Sequence, residues 1–172
     1  DALTVEAAAA QCYIFFLGGF ETSSTVMTFT LYELARNPHL QEKLRHEINT
    51  VLGKHDDKIT YEAIQDLKYM DQVINEALRM YPPVSLVTRK CVKDYKVPDA
   101  DVTIEEGVVV MIPIMGIHYD EDYYPEPETF DPERFNEENK KSRPQYIHLP
   151  FGEGPRNCIG KETKLSVVLV KF

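Results

Sequence analysis

The chain has 172 residues, 43% of them apolar and 27% charged, an ordinary globular composition with enough length for one domain and its core. The formal net charge is −9 and no segment concentrates lysine and arginine, which speaks against nucleic acid as a partner. There is no Gly-x-x-x-x-Gly-Lys-Ser/Thr phosphate loop, and the three cysteines, Cys12, Cys91 and Cys158, lie far apart with no Cys-x-x-Cys pair, so free thiols in a reducing compartment fit better than a zinc site or a disulfide framework.

Residues 3–36 are expected to form one long helix, with Thr4 as N-cap and a stop at "RNP". Its apolar stretch Ala7–Phe20 is too short and too interrupted for a membrane span, so a helix covered on all sides is the expectation. "PHLQEKLRHEINTVLG" (38–53) has apolar residues at helical spacing, with Pro38 in the first turn and Gly53 as C-cap. Thr60 opens a short helix, and "LKYMDQVINEALRMYPP" is a further long one stopped by Pro82 and Pro83. "VSLVTRKCV", "YKVP", "VTI" and "GVVVMIPIM" then give several short strands. From Gly116 to Pro150 no period appears, and an ordered irregular segment is expected. A last helix begins near Cys158. The acidic run "DEDYYPEPE" lacks the glycine and ligand spacing of an EF-hand. The fold class is mainly α with small β-sheets. Both ends break off in mid-pattern, which predicts a single partial domain over 1–172, truncated on both sides.

"PFGEGPRNCIG" (150–160) is the most restricted stretch of the chain. Thiolate is the metal-binding form of cysteine, and a helix N-terminus lowers the pKa that yields it. Gly152 and Gly154 allow backbone angles that turn several N–H groups toward one sulfur, and Gly160 leaves room for a flat ligand. Arg156 offers a fork that fits a carboxylate. A thiolate, a side-chain-free approach and a carboxylate clamp together suggest haem.

Three further motifs accompany it. "EALR" places Glu76 and Arg79 on one helix face at i, i+3, and "FDPERF" offers Arg134. "GGFETS" puts Gly18 and Gly19, then Glu21 and Thr22, inside the apolar first helix, where local rules broken together point to a functional site. "VSLVTRKC" carries Arg89 behind the double proline; Val84, Leu86 and Val87 there suit either strand core or substrate contact.

On these residues the sequence resembles the cytochrome P-450 superfamily, from its I helix to the start of its L helix; "FGEGPRNCIG" matches the haem loop at every motif position. Wording such as "FFLGGFETSS" and "LRMYPPV" is most similar to insect microsomal enzymes that oxidise plant toxins and insecticides. The resemblance implies haem b held through Cys158 as axial ligand, with Phe151 packed beside the thiolate and Arg156 on a propionate. Arg89 matches a propionate-binding arginine, though an edge-strand role is open. Glu76, Arg79 and Arg134 would form a buried structural network; two arginines on one carboxylate would need backbone carbonyls as further acceptors. Gly18 and Gly19 would make room for dioxygen, Thr22 would hydrogen-bond it or its water, and Glu21 would relay protons.

The implied function is a haem-thiolate monooxygenase placing one oxygen atom of O2 into a hydrophobic small molecule, a xenobiotic or an endogenous lipid. Its electrons would come from NADPH through a flavoprotein reductase, at the cytosolic face of the endoplasmic reticulum, held by a membrane anchor outside this chain. A haem-thiolate isomerase or dehydratase, and a non-catalytic haem sensor, stay open as alternatives. Cys12 and Cys91 are expected to be small buried hydrophobes, and His148 a packing or hydrogen-bonding residue; the remaining histidines are scattered.

Overall fold

A computed structural model describes residues 4–161. α1 (Val5–Arg36) is a single uninterrupted helix, started by Thr4, whose hydroxyl accepts from the Ala7 N–H at 3.2 Å. Its C-terminal third is anchored through buried Val26, Thr30, Glu33 and Leu34. The expectation of a helix covered all round is not met in this chain: Tyr13, Phe15, Phe16 and Phe20 are exposed, because no described residue packs on that part. Cys12, expected buried, lies on the same uncovered stretch and is exposed; Cys91 is half-buried.

α2 (Pro38–Lys54) follows after Asn37, whose side-chain amide donates to the Glu33 carbonyl at 2.9 Å. Gly53 does not cap this helix. It stays helical, and the turn that follows uses left-handed Asp56 and Asp57, both at φ 54. α3 (Tyr61–Asp66) is capped by Thr60, which accepts from the Ala63 N–H at 3.2 Å.

α4 (Lys68–Met80) is the centre of the molecule; every residue from 73 to 80 is buried. Leu67 precedes it without a side-chain cap, so its first amides need an acceptor from elsewhere. Glu47 of α2 supplies the acceptors instead, taking the Tyr69 N–H at 2.7 Å and the Met70 N–H at 2.9 Å. Val73, Ile74, Ala77 and Leu78 pack with Leu34, Leu44, Val51, Ile64 and Phe130 into one core. Each buried Val, Leu or Ile among them stabilises by ~1.5–3 kcal/mol.

The β residues form two separate antiparallel pairs. β1 (Val87–Lys90) pairs with β4 (Val109–Ile112) in the register Val87↔Ile112, and β2 (Tyr95–Lys96) pairs with β3 (Thr103–Ile104) as Tyr95↔Ile104. The segment from 116 to 150 is less irregular than expected. α5 (Ile114–His118), a 3-10 turn at Pro132–Phe135 and α6 (Glu137–Ser142) lie in or across it. Their starts are ordinary caps: Asp131 accepts from the Glu133 N–H and Asn136 from the Asn139 N–H. The helix expected to open near Cys158 lies mostly outside the described residues. The fold is mainly helical with small antiparallel sheets, an α+β arrangement.

Candidate functional site

The most deeply buried part of the site is built on the last turn of α4. Glu76 and Arg79 are both fully buried and face each other one turn apart. The guanidinium donates through Nε to one carboxylate oxygen at 2.7 Å and through a terminal nitrogen to the other at 2.8 Å. Its remaining donors reach the His118 carbonyl at 2.9 Å and the Pro127 carbonyl at 2.8 Å. Four of the five N–H donors of the fork are thereby used, in a planar arrangement a lysine could not reproduce. Glu76 also accepts the Asp131 N–H at 3.0 Å and lies 3.4 Å from Arg134 Nε. Arg134 donates to the Glu126 carbonyl at 2.9 Å. One carboxylate thus faces two guanidiniums, and backbone carbonyls share the excess positive charge.

His118 is a functional candidate that spacing gave no means of finding. It is fully buried at the end of α5. Its Nδ1 lies 3.1 Å from the Arg79 carbonyl and its Nε2 accepts the Leu149 N–H at 3.0 Å. Because Nε2 accepts, Nδ1 carries the proton and donates to Arg79. Burial keeps this imidazole neutral, lowering its pKa to about 4. Arg79 and His118 therefore hold one another twice, side chain to carbonyl in both directions. His148 stacks beside His118 at 5.4 Å between centroids and packs on Phe135 at 4.6 Å.

The cysteine loop follows directly. The Leu149 carbonyl accepts the Gly152 N–H at 3.0 Å, and the Phe151 carbonyl accepts the Cys158 N–H at 2.8 Å. Gly152 and Gly154 sit at φ 67 and φ 82, where a side chain would be strained. A Cβ on Gly154 would meet no atom within 4 Å, so backbone conformation alone selects glycine there. A Cβ on Gly160 would lie 3.7 Å from the Cys158 sulfur. Phe151 packs at the edge of the main core, while Arg156 and Cys158 are exposed.

A single accessible thiol between glycines suits a metal whose other ligands arrive with a cofactor. Among the described residues no three His, Cys, Asp or Glu side chains converge to hold a bare ion. The residues present therefore fit a haem, which Cys158 would hold through its sulfur.

Glu21 and Thr22 lie on the exposed part of α1, whose helical path they do not break. Thr22 donates its hydroxyl proton to the Gly18 carbonyl at 2.6 Å. A Cβ on Gly18 or Gly19 would meet no atom within 4 Å. Arg89 is exposed on β1 and donates to the Thr88 carbonyl at 2.8 Å. The structure thus joins Glu76, Arg79 and Arg134 in one cluster and Phe151 to Cys158 in one loop. It shows no contact from Glu21, Thr22 or Arg89 to either. Two further contacts join distant parts of the chain. Tyr81 donates to buried Glu33 at 2.5 Å and stacks on Phe29 at 4.2 Å, fixing α1 against the end of α4.

Residues 1–165 match the model of the cytochrome P-450 family. The chain is 50% identical over 161 residues, 94% of its length, to probable cytochrome P-450 6a13 of Drosophila melanogaster, and covers 33% of that protein. It is 49% identical over 165 residues, 92% of its length, to cytochrome P-450 9e2 of Blattella germanica, covering 31% of it. It is 54% identical over 159 residues to probable cytochrome P-450 6a18 of Drosophila melanogaster, again 92% of this chain and 31% of the relative. The chain spans about a third of the length of these relatives. Matched by the family model over nearly all its residues and about half identical to insect members, it belongs to the cytochrome P-450 family.

Proposed function

We propose that the protein carrying this chain is a haem-thiolate monooxygenase that places one oxygen atom of O2 into a hydrophobic small molecule. The observation that carries the reading is the loop from Phe151 to Gly160: one exposed thiol, flanked by glycines, its backbone tied to Phe151. Bound haem supplies the redox iron and the site for dioxygen. Cys158 would hold that iron as thiolate. Arg156, and Arg89 once turned from Thr88, would bind propionates through their planar forks. Glu76, Arg79 and Arg134 fix the segment that delivers the loop.

On α1, Thr22 already donates its hydroxyl proton to Gly18, which leaves its lone pairs to accept from an incoming donor. It would orient a proton-bearing water or ligand, while neighbouring Glu21 gives and takes protons from solvent. An acid beside a hydroxyl supports monooxygenation over the isomerase and sensor alternatives, neither of which requires proton delivery to dioxygen. Electrons would come from NADPH through a flavoprotein reductase. The protein would work on the cytosolic face of the endoplasmic reticulum through an anchor outside this chain; no helix among the described residues is long and apolar enough to cross a membrane.

The test is the reduced, carbon-monoxide-bound absorption spectrum. The native protein is expected to give the red-shifted Soret band of thiolate ligation, and Cys158→Ser to abolish it. An unaltered band in that variant would overturn the reading.

A further inference from the structure

We propose that His118 is a positioning residue for the cysteine loop, transmitting the placement of α4 to Leu149 and from there to Cys158. This rests on the haem-thiolate reading of that loop. The path is continuous in hydrogen bonds. The Arg79 carbonyl accepts from His118 Nδ1, His118 Nε2 accepts from the Leu149 N–H, and the Leu149 carbonyl accepts from the Gly152 N–H. The Phe151 carbonyl then accepts from the Cys158 N–H. His118 is the one side chain on this path, and a neutral imidazole suits it because one ring nitrogen must donate while the other accepts.

The ring has no freedom to choose other partners. It is fully buried, edge-on to Tyr124 at 6.3 Å and stacked on His148 at 5.4 Å. Its own carbonyl is held by the Arg79 guanidinium at 2.9 Å. The charged network around Glu76 is therefore coupled to the loop through a neutral bridge, and no charge needs to be buried beside the thiolate. Leu149 is itself buried, so its N–H has no water to fall back on if the imidazole is removed.

The two ring nitrogens can be removed separately. In His118→Gln the amide group reaches the place of Nε2 and can still accept from Leu149. In His118→Asn the shorter amide reaches the place of Nδ1 and keeps only the bond to Arg79. His118→Phe keeps ring packing and loses both bonds. The variants are made in the haem-loaded protein that carries the chain, and two quantities are followed. The first is hydrogen exchange at the Leu149 amide, by mass spectrometry of the peptide that contains it. The second is the fraction of haem that stays thiolate-ligated after mild warming.

Expected is exchange faster by about tenfold or more in the Asn and Phe variants and within about threefold of native in the Gln variant. The thiolate-ligated fraction should fall in the same order. Native exchange at Leu149 in the Phe variant, or equal loss of the thiolate-ligated fraction in Gln and Asn, would overturn the proposal. A native protein lacking the thiolate band would instead defeat the haem-thiolate reading, and the Leu149 exchange would still decide whether His118 bridges.

Discussion

Replacing Glu76 by Gln tests whether the buried cluster depends on charge or only on shape. The side chain keeps its size, but one oxygen becomes an NH2 group. Both oxygens now face donors: Arg79 Nε at 2.7 Å on one, Arg79 and the Asp131 N–H at 2.8 and 3.0 Å on the other. Wherever the amide nitrogen points, a donor meets a donor. The charge balance worsens too, because Glu76 is the one carboxylate that Arg79 and Arg134 share among the described residues, and its loss leaves them the carbonyls of His118, Pro127 and Glu126. Removing one partner of a buried ion pair costs about 3–5 kcal/mol. Against a typical stability of about 5–15 kcal/mol, that is a large fraction of the whole. A useful control is Glu137→Gln, which breaks a 3.4 Å pair with Lys140 from a carboxylate that is 82% exposed. There the loss should be under about 1 kcal/mol. Urea titration of the protein that carries this chain, followed by circular dichroism, reads both as shifts in midpoint. If Glu76→Gln cost no more than Glu137→Gln, the account of a charge-balanced cluster would be wrong.

Three other outcomes follow from the same geometry. Thr22→Ala removes the hydroxyl bonded to Gly18 and should raise NADPH consumption relative to product in assays with reductase; unchanged coupling would remove its assigned role. Gly154→Ala must adopt φ 82 with a side chain, so a strain of about 1–2 kcal/mol should speed haem loss on dilution, although the added methyl meets nothing. His118 gives the protein an acid limb. Its folded pKa of about 4 lies below the ordinary 6.5, so between these values the unfolded chain binds a proton that the native ring refuses. Stability is unaffected by this group above pH 6.5 and falls as pH drops toward 4, by roughly 3 kcal/mol in total. The destabilisation caused by His118→Gln, measured by urea titration at pH 7 and pH 4.5, should therefore shrink at the lower value; a constant difference would contradict a buried neutral imidazole.

What the sequence revealed was local. Thr4 and Thr60 were legible as caps because capping depends on the next three residues, and both accept the expected amides. Glu76 and Arg79 were legible as neighbours because helical spacing places them together. Contacts across the chain were not legible. Glu47 caps α4 from 22 residues away, Tyr81 binds Glu33 across 48, and His118 reaches Leu149 across 31. No periodicity links such pairs. Cys12 is exposed against expectation for a related reason: composition gives a residue's tendency to be inside, and only packing decides whether a face is covered. Gly53 differs from its expected role because a glycine near a helix end suggests a cap, while left-handed Asp56 and Asp57 make the turn instead.

The segment from 116 to 150 shows how the two kinds of information meet. Its lack of period hid short helices whose caps, Asp131 and Asn136, were present in plain sequence. Yet the lack of period also had a physical cause. Carbonyls in long helices and sheets are already engaged by their own ladders. Arg79 and Arg134 need acceptors that are not, and they find them at His118, Pro127 and Glu126, where the chain turns through Glu126 at φ 51. An irregular backbone is what allows two guanidiniums to be held beside one carboxylate. The chain then runs through the 3-10 turn and α6 to Leu149 and the loop that presents Cys158. Regular structure in its place would occupy the carbonyls, strand the positive charge, and release the thiol from its anchor.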